Sequence, residues 1–322
     1  MAERIENHYC GMLVIRKEQG FTSSDVVAKL RGIVHMRRIG HTGTLDPMAE
    51  GVLPVCLGNA TKLAELIADR DKEYLARLRL GVTTDTQDMT GTILAQAEEG
   101  RVEKLVTEAK LRETAQQFTG EIDQIPPMYS AVWSNGRRLY ELAREGIEVE
   151  RKPRRITISE LELVETKLPF VTLRVVCSKG TYIRVLCADL AKAVGCLGVM
   201  TELCRTRVGQ FRLEDAVSLD QIREMREELL QPIPKAIAHL PQLLLDEGQS
   251  RAFCLGQKQW LEQNCAASEI VRVCERADES LLGIGRVEQQ DTLWQLAPHK
   301  VLAAPQQKEQ MAEGEHGFAD IT

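Results

Sequence analysis

The chain has little of what marks several common protein classes. No apolar run approaches the ~20 residues of a membrane-spanning helix. Residues Met1 to His8 lack the basic-then-apolar pattern of a secretory leader, so a cytoplasmic protein with no membrane partner is expected. The cysteines number nine, which is odd, and none stands in a Cys-x-x-Cys pair. No Cys or His pair has the spacing of metal ligands, so no metal is expected. Cys56, Cys177 and Cys187 sit among apolar neighbours and read as buried free thiols in a reducing compartment. There is no phosphate-binding loop, and Gly283-Ile-Gly285 lacks the third glycine of a dinucleotide fingerprint, which sets a nucleotide-dependent small-molecule enzyme aside. Internal repeats are absent. So is an excess of positive charge: 41 Lys and Arg stand against 47 Asp and Glu, a net charge of -6. Taken alone, that balance argues against a nucleic-acid partner.

What is present begins with ordinary globular composition, 43% apolar and 27% charged over 322 residues. That is enough for one large domain, or a large and a small one. The densest stretch runs from Arg38 to Pro54. Gly40 and Gly43 flank His41 and Thr42, an Asp46-Pro47 step follows, and Gly51 leads into the apolar run Val52 to Leu57. Glycine admits backbone angles other residues avoid, and a residue before proline is driven out of the helical region. The stretch reads as a shaped loop that holds Asp46 extended and then enters a buried element. A Gly/Pro turn with a capping aspartate fits the same residues.

Around it, Met12 to Ile15 reads as a strand, and Thr22-Ser-Ser-Asp25 as a capping box. Val26, Val27, Leu30, Ile33 and Val34 follow at helical spacing. Asn59 to Ile67 reads as a short helix capped by Asn59. In Lys72 to Gly81, Tyr74, Ala76, Leu78 and Leu80 alternate with other residues, the period of a half-buried strand. Tyr74 then faces the apolar side, as a core tyrosine would. Glu103 to Phe118 reads as one surface helix, Val171 to Cys177 as a strand, and the segment after Arg184 as a helix. Arg137 to Arg155 carries seven basic residues against four glutamates, with Tyr129, Trp133 and Tyr140 close by. A mixed-charge helix face fits this. So does an RNA surface, since rings and guanidinium planes stack on unpaired bases and local charge neutralises phosphates. From Ser250 to Trp260 a helix is expected, then strands at Ile270–Cys274, Leu281–Val287 and Leu293–Leu296.

Gly40-His-Thr-Gly-Thr-Leu-Asp-Pro47, Gly51-Val-Leu-Pro-Val-Cys-Leu-Gly58 and Ala60-Thr-Lys62 together resemble the signature of the TruB family of pseudouridine synthases. Lys72-x-Tyr74, Cys177-Ser-Lys-Gly-Thr-Tyr-Ile-Arg184 and Thr201 to Phe211 match its further motifs in order, so the likeness covers nearly the whole chain. The resemblance implies an α+β fold: a mixed, mainly antiparallel pseudouridine-synthase sheet flanked by helices, and a small C-terminal β module of PUA type. The implied divisions are a catalytic domain at 1–232 with an RNA-gripping thumb at about 124–152, the module at 233–303, and a disordered tail at 304–322. The family's catalytic aspartate falls on Asp46, with Tyr74, Arg184 and Asp85 as its catalytic companions and Asp85 extending the charge network around Arg184. His41, Tyr74, Tyr182 and Leu203 become the substrate-binding residues. The family's usual Lys-Pro pair is here Lys17-Glu18.

The resemblance further implies a substrate, uridine 55 in the T-arm stem-loop of tRNA. The thumb is longer than in guide-RNA-dependent relatives, so a monomer acting without guide RNA is expected, and DNA is not an expected partner. The reaction moves the glycosidic bond from N1 to C5 of the same ring and is an isomerisation, consistent with no cofactor. A carboxylate, ionised at neutral pH, can serve as a nucleophile when held and desolvated. Attack on C6, attack on C1′, and assistance to loss of a C2′ proton with Tyr74 as base or relay all stay open. A binding or tRNA-folding factor would share every basic feature but would not need Asp46.

Overall fold

The computed structural model describes residues 9–225, 228–261, 269–290 and 293–303. The chain divides into two compact units between Ala236 and Ile237. The segment 304–322, expected to be a disordered tail, lies outside the described residues.

In the larger unit the strands are, in chain order, β1 (Gly11–Lys17), β2 (Ile39–His41), β3 (Glu50–Leu57), β4 (Lys72–Leu80), β5 (Val82–Thr84), β6 (Ile93–Gln96), β7 (Gly120–Gln124), β8 (Trp133–Ser134), β9 (Arg137–Arg138), β10 (Arg154–Lys167), β11 (Phe170–Cys177), β12 (Gly198–Val208) and β13 (Phe211–Arg212), the last paired with β12. The main sheet runs β1-β3-β12-β4-β11-β10-β7, with β2 beside β3. β12 and β3 pair in parallel and the other pairs are antiparallel, so the expected mixed, mainly antiparallel α+β sheet is the one that forms. β5–β6 and β8–β9 are separate two-stranded ribbons.

The alternation read in Lys72 to Leu80 holds along all of β4. Tyr74, Ala76, Leu78 and Leu80 turn to a core shared with Leu186 and Leu190 of the helix Ile183–Ala193. Each of these leucines contributes about 1.5–3 kcal/mol over leaving it in water. On the other flank, the helix Ser23–Val34 starts at the expected capping box, in which Thr22 and Asp25 satisfy each other's backbone N–H groups. Its apolar stripe packs on Leu13, Ile15, Leu53 and Val55 of β1 and β3. Cys56, Cys177 and Cys187 are buried. Burial pushes the Cys56 and Cys187 thiols up to about 12 and Cys177 up to about 11.

Three expected elements differ. Asn59 caps no α-helix; it lies in a 3-10 turn, Gly58–Leu63, and accepts from Arg38 Nη1 at 2.9 Å. The single helix expected over Glu103–Phe118 is two, Arg101–Leu105 and Glu108–Gln116. Val106 turns extended to bury its side chain, and Thr107 caps the second helix by accepting from the Lys110 N–H. In the smaller unit the helix is Glu247–Cys254, ended by Gly256 at φ +80°, so Trp260 falls on a strand, Gln259–Leu261. That unit is a five-stranded sheet in the order Gln242–Leu245, Ile270–Glu275, Leu281–Gln290, Leu293–Val301, Gln259–Leu261, closed around Phe253, Val273 and Leu296. The strands Gln242–Leu245 and Gln259–Leu261 were not expected. No helix among the described residues is long and apolar enough to cross a membrane.

Candidate active site

The loop between β2 and β3 carries Asp46 and is pinned from several sides. The Ser23 hydroxyl accepts from the Leu45 N–H at 2.9 Å, and the Gly20 N–H donates to the Pro47 carbonyl at 2.8 Å. The Lys17 amine, 0% exposed, donates to the carbonyls of Glu18, Pro47 and Ala49. Burial pushes its pKa down to about 8, with the Asp46 carboxylate pulling the other way. Arg205, also buried, donates from Nε to the Val52 carbonyl at 2.8 Å and from its two terminal nitrogens to the Thr44 and Gly43 carbonyls at 3.4 and 3.3 Å. Neither cation was assigned a role from sequence. For Arg205 a signal existed, because it sits two residues from Leu203 on an alternating strand and so turns a charge inward.

The glycines act differently from the expectation. Neither Gly40 nor Gly43 has a left-handed φ. A Cβ on Gly40 meets nothing within 4 Å, and one on Gly43 lies 3.7 Å from Arg205 Nη1, an ordinary contact. The demanding position is Gly51, at φ +111°, where a Cβ would sit 2.2 Å from the Arg205 carbonyl oxygen. This is where β3 lies parallel to β12, Gly51 opposite Arg205.

Arg184, in the first turn of the helix Ile183–Ala193 and 4% exposed, grips Asp46 with two nitrogens: Nε to Oδ2 at 2.8 Å and Nη2 to Oδ1 at 3.3 Å. Its other bonds reach the Thr86 carbonyl and the Tyr129 carbonyl, each at 2.9 Å. One guanidinium therefore ties together the Asp46 loop, the loop after β5 and the segment after β7. The Asp46 side chain remains 34% exposed and opens into a cavity of about 540 Å³ also lined by Tyr74, Tyr182, Arg184 and Leu203.

The other expected residues fall as follows. The sheet register sets Tyr74 opposite Arg205, and Leu203 opposite Ala76, so Tyr74 and Leu203 are diagonal neighbours on one face. Burial pushes the Tyr74 phenol up, opposed by the Arg205 guanidinium. Tyr182 is held by its backbone: its N–H donates to Gln124 Oε1 at 2.8 Å, and Gln124 Nε2 donates to its carbonyl at 3.1 Å. His41 ends β2 with Nδ1 buried and unbonded, and burial pushes its imidazole toward the neutral form. It is not among the residues lining the cavity, although Thr42 beside it is.

Asp85 is a correction. It is exposed and accepts from the Thr92 N–H at 2.8 Å, away from Arg184. The second carboxylate at the guanidinium is Asp88, 5% exposed, with Oδ2 at 3.7 Å from Arg184 Nε. Its Oδ1 accepts from the Thr86 hydroxyl at 2.8 Å and the Thr90 N–H at 3.0 Å, which fixes its orientation.

Among the described residues, three of the seven cations in the basic stretch are ion-paired, two of them inside it and Arg155 with β7. Arg137 bonds Glu145, Arg151 bonds Glu148, and Arg155 bonds Asp123. Arg138 lies over the Trp133 ring at 4.4 Å and Arg144 over Tyr140 at 5.3 Å. Lys179, Arg154 and Arg155 reach the cavity wall.

Comparison with known proteins places these features in a family. The model of the TruB family pseudouridylate synthase (N terminal domain) matches residues 31–183. Models of the tRNA pseudouridylate synthase B C-terminal domain and of the pseudouridine synthase II TruB C-terminal region match 184–239 and 241–302. The tRNA pseudouridine synthase B of Clostridium tetani is 41% identical over 280 residues, 86% of this chain and 95% of that protein. The same-named protein of Aromatoleum aromaticum is 42% identical over 287 residues, 88% and 90% respectively. Among solved structures, a Cbf5-Nop10-Gar1 complex matches with TM-score 0.71 at 26% identity, covering 92% of this chain and 85% of that one.

Proposed function

Because the chain belongs to the TruB family of pseudouridylate synthases, we propose that it converts uridine 55 in the T-arm loop of tRNA to pseudouridine, acting on a flipped base as a monomer without cofactor or guide RNA. The observation that carries this reading is the Asp46 carboxylate, held at 2.8 Å by a buried arginine and open to a cavity walled by two tyrosines and a leucine. In the reaction the N1–C1′ bond breaks and a C5–C1′ bond forms. The C5 hydrogen leaves as a proton, and N1 ends with one.

Arg184 holds the carboxylate by two of its nitrogens, so Asp46 approaches the nucleotide in one orientation, and its reach to the reacting atoms is set before the substrate arrives. Asp88 helps to balance the charge of the guanidinium. The raised Tyr74 phenol stays protonated at neutral pH, which favours packing against the base over a role as base. Tyr182 and Leu203 complete the pocket. His41, neutral and at the loop edge, fits the space that the flipped nucleotide vacates. Extruding a base costs a few kcal/mol, least in a loop.

The test is tritium release from a tRNA transcript labelled at uracil C5, using purified protein with no added RNA. Release is expected from the wild-type transcript and not from one carrying cytidine at position 55. If tRNA binds and no tritium is released, a binding or folding factor becomes the better reading. A separate prediction concerns affinity. With a net charge of -6, binding must rest on a few local cations such as Lys179 and Arg154. Affinity for tRNA is therefore expected to weaken about tenfold or more from ~50 to ~200 mM salt, as two or three neutralised phosphates require. A dissociation constant flat across that range, measured by filter binding, would contradict it.

A further inference from the structure

The helix Ile183–Ala193 brings Arg184 to Asp46, yet it starts without a cap of its own. Tyr182 stands at its N-cap and makes no side-chain capping bond, and no acidic residue lies in the first turn. The two hydroxyls just upstream are engaged elsewhere. Ser178 accepts from the Thr157 N–H at 2.9 Å, and Thr181 donates to the Ser178 carbonyl at 3.0 Å. An α-helix leaves its first four N–H groups without intrahelical partners, and helix ends fray. What fixes this end comes from the main sheet, 58 residues earlier in the chain.

Gln124 is the last residue of β7, the edge strand, and is 3% exposed. Its side-chain amide answers both backbone groups of Tyr182: Oε1 accepts the N–H at 2.8 Å, and Nε2 donates to the carbonyl at 3.1 Å. That carbonyl also accepts the first bond of the helix, from the Leu186 N–H at 3.1 Å. Among side chains, only those of Asn and Gln offer a donor and an acceptor side by side without charge. A carboxylate would turn an oxygen on the Tyr182 carbonyl, and an ammonium could not accept. The same segment touches the helix again two residues on. Past Pro126 and Pro127, the Tyr129 carbonyl accepts from Arg184 Nη2 at 2.9 Å. Tyr182 and Arg184 are thus both held by residues 124–129, the start of the segment expected to grip RNA. Gln124 does not line the cavity, so it reaches the reaction only through what it holds.

We propose that Gln124 is a positioning residue for the isomerisation, capping the helix from outside so that Arg184 meets Asp46, an inference that rests on the reaction assigned above. The two members of the pair are placed by different elements. Asp46 is set by its loop, and Arg184 by the start of the helix. The 2.8 Å bond between them depends on that start staying where it is. Being neutral, the amide orders the helix end without adding a charge beside the pair. A displacement of about 1 Å at the reacting groups can cost on the order of 10²-fold in rate.

The test uses the full chain with Gln124→Met, which nearly keeps the volume and removes both bonds. It is read by tritium release over a range of tRNA concentrations, by equilibrium tRNA binding and by circular dichroism, with kcat taken per mole of folded protein. kcat is expected to fall about 10- to 100-fold, with KM and tRNA binding within about twofold of wild type. The thermal midpoint should fall as well, because the Tyr182 N–H is left unbonded. Gln124→Asn, a methylene too short to meet both groups, should show the same split, and it carries the test if Gln124→Met does not fold. A double-mutant cycle checks the route. In an Arg184→Lys background, where the two-nitrogen grip on the carboxylate is already lost, Gln124→Met should cost less than about threefold.

Wild-type kcat per folded molecule in the Gln124 variants would overturn the inference and leave the amide a structural cap. So would a rise in KM with kcat unchanged, which would give Gln124 to RNA binding. The full loss repeated in the Arg184→Lys background would overturn it too, since the effect would not pass through Arg184. Wild-type protein that releases no tritium fails differently: it defeats the reaction assignment, and this inference with it.

Discussion

Asp46→Asn is expected to lower tritium release by at least ~10³-fold, the scale of losing a group that takes part directly in the chemistry, with tRNA binding close to wild type. Asparagine keeps the shape of the side chain and can still accept from Arg184, but an amide is neither a nucleophile nor a charge. Removing one partner of a buried ion pair often costs 3–5 kcal/mol. Here the cost should be nearer ~1–2 kcal/mol, because Asp46 is 34% exposed and Asp88 stays at 3.7 Å from the same guanidinium. Arg184→Met should behave differently. It releases the Thr86 and Tyr129 carbonyls as well as Asp46, so activity and thermal midpoint should fall together. Asp85→Asn, on an exposed residue, should leave the rate near wild type, whereas Asp88→Asn should not. An Asp46→Asn protein that still releases tritium would remove the carboxylate from the mechanism.

The second large effect is structural. Gly51→Ala places a methyl 2.2 Å from the Arg205 carbonyl oxygen and 2.8 Å from its nitrogen, at φ +111°. Backbone cannot swing aside as a side-chain tip can, so relief requires β3 and β12 to part, and with them the Arg205 bonds that hold the Asp46 loop. The cost is expected to be at least ~3 kcal/mol, at or above the upper end for inserting a methylene into a packed core. In a unit of this size that lowers the thermal midpoint by roughly 6–12 °C. Gly40→Ala, with nothing within 4 Å of the new Cβ, is the control and should change it by no more than ~2 °C. Equal midpoints for the two variants, by differential scanning calorimetry, would show that the close approach is not sustained in solution.

Sequence legibility followed the range of the forces involved. Period-two patterning placed Tyr74 inward because a strand has only two faces, and the Thr22–Asp25 cap could be read from two residues three apart. The resemblance put the second carboxylate on Asp85, and the structure puts it on Asp88, three residues on in the same Thr/Asp-rich loop. What decides between them is a turn at Gln87, φ +62°, which no residue type announces. Gly40 and Gly43 drew attention by their motif, yet Gly51 bears the constraint, set by a strand far along the chain. Lys17 left no trace of its role: two of its partners are backbone carbonyls 30 and 32 residues away, and carbonyls do not show in side-chain patterns. Arg205, by contrast, is legible from its inward place on an alternating strand, although its carbonyl partners lie 153 to 162 residues away.

The place of β12 in the sheet sets an order of events during synthesis. β12, Gly198–Val208, lies between β3 and β4, which are made long before it. A nascent chain that has emerged only as far as β11 can pair β4 with β11 and β1 with β3, but these remain two sheet fragments with open edges. Only when β12 leaves the ribosome can it join them, bring Arg205 under the Asp46 loop and finish the cavity wall with Leu203. Closing so long a loop is slow, and open strand edges invite wrong partners in the meantime. Chains arrested before Gly198 should therefore be markedly more prone to aggregate than those arrested after Val208.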